Sequence, residues 1–433
     1  MNSAAAHSAS ASRRPRPVWL VTDQLPHPPR NGITLPVANY LEGLRRHRDV
    51  RLILLVDAAR PPSRDELSAN EALYGPITTV PLVKGARLAC AADELLRRDM
   101  YYYSWRLAPG SAPLSPPPEA ALIVSPMSAA AKWRRLKRPG HVEAGVSIAA
   151  VNDCTAAQYH CRGKQSFGGL RLRLRGAIDL WRSMGIAQIE RDILGEYDHV
   201  LLQTPADLTW MRRLVGETIA RRVTLAPNGV RTAFLSVEPD RHSRQIAWVG
   251  ELGGEYAPVA RWLIGEVWPE VLHKLPEATL LVVGQGADDR LTALMNSTPR
   301  VSHRAFAENL GDVYRGSAAA ACPIFKGYGL INKTLEAMAA SVPVVGGSSA
   351  FNGIEGFEPG RDGIRCETRE AIRFAEALAG LVRDPALCAR IGESGRSRVR
   401  NQFVWNRTVA ILDNLLGAEP DTASRPALRA GGV

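Results

Sequence analysis

Short apolar runs recur along the chain, each followed by a turn rich in glycine or proline and then by a stretch of helical period. Val18–Thr22 reads as a buried strand, Pro26–Gly32 as a turn, and Thr34–Arg46 as a helix carrying Leu35, Ala38, Leu41 and Leu44 on one face. Arg51–Val56 is the next strand, so the chain opens as a βαβ unit. Further strands are predicted at Thr78–Val83, Ala120–Val124, Val146–Val151 and His199–Thr204, with helices at Glu190–Tyr197 and Ala206–Val215. Residues 108–118 form a proline-rich connector. Val223–Val230 is a strand that runs into a Pro-Asn-Gly turn, and the polar residues 231–244 read as a linker.

A second series starts with strand Gln245–Gly250, helix Ala260–Leu275 and strand Ala278–Gly284. Helix Arg290–Met295, strand Val301–Phe306 and helical turn Leu310–Arg315 lead to the apolar run Ala318–Phe325. Helices at Arg369–Arg383, Pro385–Arg400 and Phe403–Leu416 close the ordered chain. This alternation predicts an α/β protein of two doubly wound parallel-sheet, Rossmann-like domains that face a cleft. The expected boundaries are a disordered leader over 1–17, domains over 18–235 and 236–400, a helix over 401–416 packing back on the first domain, and a disordered tail over 417–433.

Lys326–Val345 has the pattern of a phosphate site: apolar run, glycine turn, helix start, second apolar run. Gly327 and Gly329 let the backbone approach an anion, and the first turn of the helix from Lys333 offers unpaired N–H groups. Lys333 adds a positive charge there, and Glu336, one turn on, can accept hydrogen bonds from ribose hydroxyls. An ordinary βα unit with surface charges fits this segment taken alone equally well.

Composition narrows the class. The 433 residues are 45% hydrophobic and 22% charged, as in a globular protein of two or three domains. Cysteines at 90, 154, 161, 322, 366 and 388 are scattered, which argues against a zinc site or disulfide framework and suits a reducing cytoplasm. No apolar run approaches the ~18 residues that span a bilayer, and residues 1–17 lack the apolar core of a signal peptide. The net charge of +11 is densest at Lys132–Arg138 and at Arg162–Arg182, where Arg162, Lys164, Arg171, Arg173, Arg175 and Arg182 face Asp179 alone. No nucleic-acid-binding signature accompanies it, so nucleic acid is not an expected partner. Leu170, Leu172, Leu174, Trp181 and Met184 interleave with the arginines, which suits an anionic membrane surface or a pyrophosphate-bearing substrate. A solvated basic helix fits as well.

Four motifs together resemble the retaining GT-B glycosyltransferases of family 4. They are Pro28-Pro-x-x-Gly32, Pro227-Asn-Gly-Val230 with Phe234, Trp248-Val-Gly250 paired with Leu281-Val-Val-Gly284, and Gly329-Leu-Ile-Asn-Lys-Thr-Leu-Glu-Ala-Met-Ala339. The last is similar to the Gly-x-x-Asn-Lys-x-Leu-Glu-Ala-Met-Ala form of exopolysaccharide- and exosortase-associated sugar transferases. The resemblance implies an acceptor-side first domain and a second domain binding a nucleotide-diphosphate sugar. Glu336 matches the second glutamate of the family's Glu-x7-Glu motif, which holds the donor ribose. Gly32, Gly250, Gly329, Leu330, Ile331 and Asn332 would line the donor, and Lys333 would neutralise the leaving diphosphate. Asn31, Asn152 and Asp153 fall on the acceptor side, with Asp153 positioning the acceptor hydroxyl. The chain departs from the pattern at Tyr328, where the first glutamate is expected, at the Glu251–Tyr256 loop, where Arg and Lys are usual, and at Asn152-Asp153, where His-Asp is common.

The implied activity moves a sugar, with retention, from a nucleotide-diphosphate sugar to a glycan or lipid-linked glycan, in exopolysaccharide or other cell-surface polysaccharide synthesis. No cofactor and no metal are expected, because the resemblance implies that Lys, Arg and a helix N-terminus carry the diphosphate charge; the lack of an Asp-x-Asp pair, with Asp288-Asp289 merely adjacent, fits that. The expected place is the cytoplasm or the inner face of the cell membrane. A catalytically inactive GT-B protein that binds a nucleotide sugar or glycan as a scaffold is the competing reading. A GT-B epimerase or phosphorylase lacks its expected residues.

Overall fold

The computed structural model describes residues 15–29, 32–85, 105–112, 114–136, 145–165, 170–326 and 329–417. Asn31, Gly327, Tyr328, nearly all of the leader and all but the first residue of the tail lie outside the described residues. Two sheets form. Strands β1 (Val18–Thr22), β2 (Val50–Asp57), β3 (Ile77–Lys84), β4 (Trp105–Leu107), β5 (Ala121–Val124), β6 (Val146–Asn152), β7 (His199–Leu202) and β8 (Val223–Leu225) run in the order β4-β3-β2-β1-β5-β6-β7-β8. Strands β9 (Gln245–Val249), β10 (Thr279–Val283), β11 (Val301–Arg304), β12 (Ala319–Cys322), β13 (Val344–Gly347) and β14 (Ile364–Cys366) run in the order β11-β10-β9-β12-β13-β14. By contacts the chain divides into two compact units, one of residues 1–151, 188–200 and 412–433, the other of 152–187 and 201–411.

In the first unit β1 lies parallel between β2 and β5, with Val18 opposite both Val50 and Ala121. These strands are buried on both faces, which is why they read as unbroken apolar runs. One strand departs from the expected parallel order: β4 pairs antiparallel with β3 at the sheet edge. Helix Arg64–Tyr74 is a second element absent from the sequence-based expectation, although Ser63 and Glu66 close a capping box at its start. The Asp198 carboxylate accepts from the Ser147 N–H and hydroxyl at 2.8 Å each, tying the start of β7 to β6. Near the end of the helix Trp405–Gly417, Asp413 accepts from Arg48 at 2.5 Å and lies 2.9 Å from the His47 ring.

In the second unit every recorded strand pair is parallel, with Ile246 of β9 opposite Leu280 of β10 and Ala319 of β12. One face of this sheet packs Trp248, Trp262, Trp268 and Phe374; the other packs Phe234, Tyr314, Leu335, Met338 and Phe403. The expected helix Ala260–Leu275 runs from Ala257 to Lys274 through a π turn at Leu263–Val267. Glu190–Tyr197, expected as a separate helix, instead begins within the end of one long helix, Leu170–Leu194. β9 and β12 are neighbours at the point where the strand order reverses, the position at which open parallel sheets receive ligands.

Close backbone approach fixes this edge. A Cβ on Gly284, just after β10, would stand 1.7 Å from the Gly250 carbonyl oxygen just after β9. We predict that Gly284→Ala destabilises the chain by at least about 1–3 kcal/mol, read as a lower urea midpoint, whereas Gly380→Ala, where no atom lies within 4 Å, has no comparable cost.

Candidate active site

The loop after β12 and the helix Asn332–Ala339 form the centre of the site, all within the second unit. Ile331 occupies the N-cap and supplies no side-chain hydrogen bond, and the first turn contains no acid. The positive end of the helix is therefore left to an incoming anion. Lys333 and Glu336 lie one turn apart on it. The Lys333 ammonium contacts both Glu336 carboxylate oxygens, at 3.1 and 2.9 Å, with the lysine side chain 38% exposed and the glutamate 12%. The two candidate donor contacts thus hold each other. A diphosphate reaching the half-exposed lysine would compete for it, leaving the more buried glutamate to hydroxyl donors.

Gly329 sits at φ +82, in the left-handed region where side chains are strained. A Cβ there would approach Asp153 Oδ1 to 3.0 Å. The structure therefore brings together Gly329 and Asp153, two residues separately predicted for donor and acceptor. Asn152, at the end of β6, also has positive φ (69), and its carbonyl accepts from Gln203 N–H at 2.9 Å. Asn332 Oδ1 accepts from the Asn228 amide at 3.3 Å, so the Pro-Asn-Gly turn touches the start of the donor helix. Leu330 lies beside Gly353, whose Cβ would come within 3.0 Å of it. Gly250 follows β9 and donates to the Val283 carbonyl at 3.0 Å. Room at that position is set by Gly284, since a Cβ on Gly250 meets only the Trp248 indole nitrogen at 3.4 Å. Gly32 belongs to the first unit, exposed in the turn before helix Thr34–Leu44.

Two buried residues that the sequence-based expectation did not include support Asp153. Thr204 caps helix Pro205–Trp210 and donates its hydroxyl to Asp207, while Asp207 Oδ1 accepts from the Cys154 N–H at 3.2 Å. The pattern Thr204-Pro-Ala-Asp207 after a strand is a capping signal that could have located them. Burial, and then the like charge of Asp207, push the Asp153 carboxyl up from 3.8 to about 7. Its Oδ2 accepts from Gln158 at 3.3 Å. Cys322, beneath the helix, is pushed up to about 11 by burial despite a Thr334 hydrogen bond, so it is a packing thiol and no nucleophile. His303 contacts the Gly284 carbonyl at 2.9 Å, and Asp288 caps helix Asp289–Ser297 and pairs with Arg261. Among the described residues no group of three His, Cys, Asp or Glu is placed to hold a metal.

Residues 243–384 match the family described as "Glycosyl transferases group 1". Glycogen synthase of Mycobacterium tuberculosis is 25% identical over 348 residues, covering 76% of this chain and 79% of that protein. A GDP-mannose-dependent monoacylated alpha-(1-6)-phosphatidylinositol monomannoside mannosyltransferase of Corynebacterium glutamicum is 27% identical over 164 residues, 35% of this chain and 42% of that one. The crystal structure of Anabaena HepE in complex with UDP and glucose is similar at TM-score 0.62 and 12% identity, covering 92% of this chain and 99% of that chain. Sucrose-phosphate synthase from Thermosynechococcus elongatus is similar at TM-score 0.58 and 16% identity, covering 92% and 98%. The chain is a nucleotide-sugar glycosyltransferase with the GT-B fold.

A folded-state carboxyl that keeps its proton longer than the unfolded one stabilises the fold at low pH and loses that contribution as pH rises. For Asp153 the loss falls between about pH 4 and about pH 7. Asp153→Asn should therefore flatten the decline of the urea midpoint across that window. An unchanged slope would place the titrating group elsewhere.

Proposed function

We propose that this chain transfers a sugar, with its anomeric configuration retained, from a nucleotide-diphosphate sugar to a hydroxyl of a glycan or lipid-linked glycan during cell-surface polysaccharide synthesis. The observation that carries the reading is the uncapped helix Asn332–Ala339 with Lys333 and Glu336 on its first turns, behind a left-handed Gly329. The diphosphate takes the helix N-terminus and Lys333, and Glu336 takes the ribose hydroxyls. The bond from the anomeric carbon to the diphosphate oxygen breaks, and the bond to the acceptor oxygen forms on the same face. The departing phosphate oxygen receives the acceptor proton, and Asp153 orients the acceptor hydroxyl. The UDP and UDP-glucose carried by the HepE structures support a nucleoside diphosphate donor. The phosphatidylinositol mannoside acceptor in the name of the corynebacterial relative supports a lipid-linked acceptor met at an anionic membrane surface. We place the chain at the cytoplasmic face of the membrane; no helix among the described residues is long and apolar enough to cross one.

Incubation with UDP-, GDP- and dTDP-sugars tests the reading. One of them should release nucleotide, and Lys333→Ala should lower that turnover about a hundredfold or more, because it removes charge stabilisation from the leaving group. Binding of a nucleotide sugar without release of nucleotide from any donor would instead make the chain a scaffold.

A further inference from the structure

Between residues 173 and 184 the long helix Leu170–Leu194 turns apolar side chains outward and polar ones inward. Leu174, Ile178, Trp181 and Met184 are 36–62% exposed, while Asp179, Ser183 and Glu190 are buried. At about 100° per residue the four apolar side chains form one stripe roughly 120° wide. The buried polar residues fall on the opposite face. The inward face is fixed by close contact with helix Thr155–Gln165. A Cβ on Gly163 would stand 2.8 Å from the Gly176 carbonyl, and the Ser183 hydroxyl donates to the Ala156 carbonyl at 2.8 Å. With small and polar residues holding the helix down, its apolar residues are left outside.

Arginines border the stripe. On the same helical projection Arg173 falls along one edge, and Arg175 and Arg182 along the other; Arg173 and Arg175 are exposed and Arg182 half-buried. An apolar stripe edged by guanidinium groups on both sides fits a helix lying in the plane of a bilayer, its arginines at the headgroups. Pairing the stripe with a second copy of the chain would set the arginine edges against each other. We infer that Leu174, Ile178, Trp181 and Met184, flanked by Arg173, Arg175 and Arg182, form the surface that seats this protein on an anionic lipid membrane. The inference sharpens the membrane partner proposed above and rests on residues outside the candidate active site.

Flotation with phosphatidylcholine vesicles, with and without phosphatidylglycerol, tests it on the full chain. The wild type should float with the anionic vesicles and lose that binding as salt rises. Leu174→Ser combined with Met184→Ser should weaken binding about tenfold or more. Each of Arg173→Gln and Arg175→Gln should cost about fivefold and reduce the salt dependence. Nucleotide release in solution and the thermal midpoint should be unchanged in all three variants. Failure of the wild type to float, equal flotation on neutral vesicles, or undiminished flotation of the serine variant overturns the inference. So does a dimer in sedimentation that the serine variant abolishes, which would assign the stripe to a second copy. A wild type that releases nucleotide but does not float refutes the docking surface and leaves the proposed activity standing; a wild type that floats but releases no nucleotide refutes the activity alone.

Discussion

Backbone without side chains at the carboxyl ends of β9, β10 and β12 is the constraint on which the site depends. Gly284 admits the Gly250 carbonyl where a methyl group would collide at 1.7 Å. Gly329 takes a left-handed turn that lays the loop against Asp153. Gly329 stands three residues before the helix Asn332–Ala339, which begins without a cap. Its N–H groups and the Lys333 ammonium then lie at the reversal point of the strand order, where a parallel sheet opens to ligand. The Lys333–Glu336 ion pair keeps the site's principal charges matched until an anion arrives. The lysine is the more exposed partner, at 38% against 12% for the glutamate, so it is the end of the pair that a solvated anion would reach.

Support for Asp153 comes from a different source. Asp207 and Thr204 are buried and hydrogen-bonded to each other, and Asp207 also accepts from the Cys154 N–H. They hold the end of β6, and the Asp207 charge adds to burial, the larger cause, in raising the proton affinity of the Asp153 carboxyl. A carboxyl that titrates near neutrality can orient a hydroxyl as acceptor or as donor. A carboxylate of ordinary pKa offers only the first role.

Much of the fold was legible in the sequence because β1, β2, β5, β6, β9 and β10 are buried on both faces and so appear as unbroken apolar runs. The edge strands β4 and β14 were not, since Trp-Arg-Leu and Ile-Arg-Cys are three residues long with a charge at the centre. Lys333 and Glu336 were legible through a local motif whose members share one helical turn. Asp207 and Asn228 were missed as site residues because their roles rest on contacts with residues 53 and 104 positions away. The interleaved leucines and arginines of the long helix were visible as a pattern. Which face they occupy is decided by Gly163, Gly176 and Ser183, whose small side chains carry no hydrophobic signal.

The most direct measurement is the affinity of the chain for a nucleoside diphosphate and for the matching nucleoside, by calorimetric titration of wild type and Lys333→Ala. If the uncapped helix and Lys333 hold the diphosphate, the variant weakens binding of the diphosphate about tenfold or more and leaves the nucleoside unchanged. Equal affinity of the two proteins for the diphosphate would contradict the account.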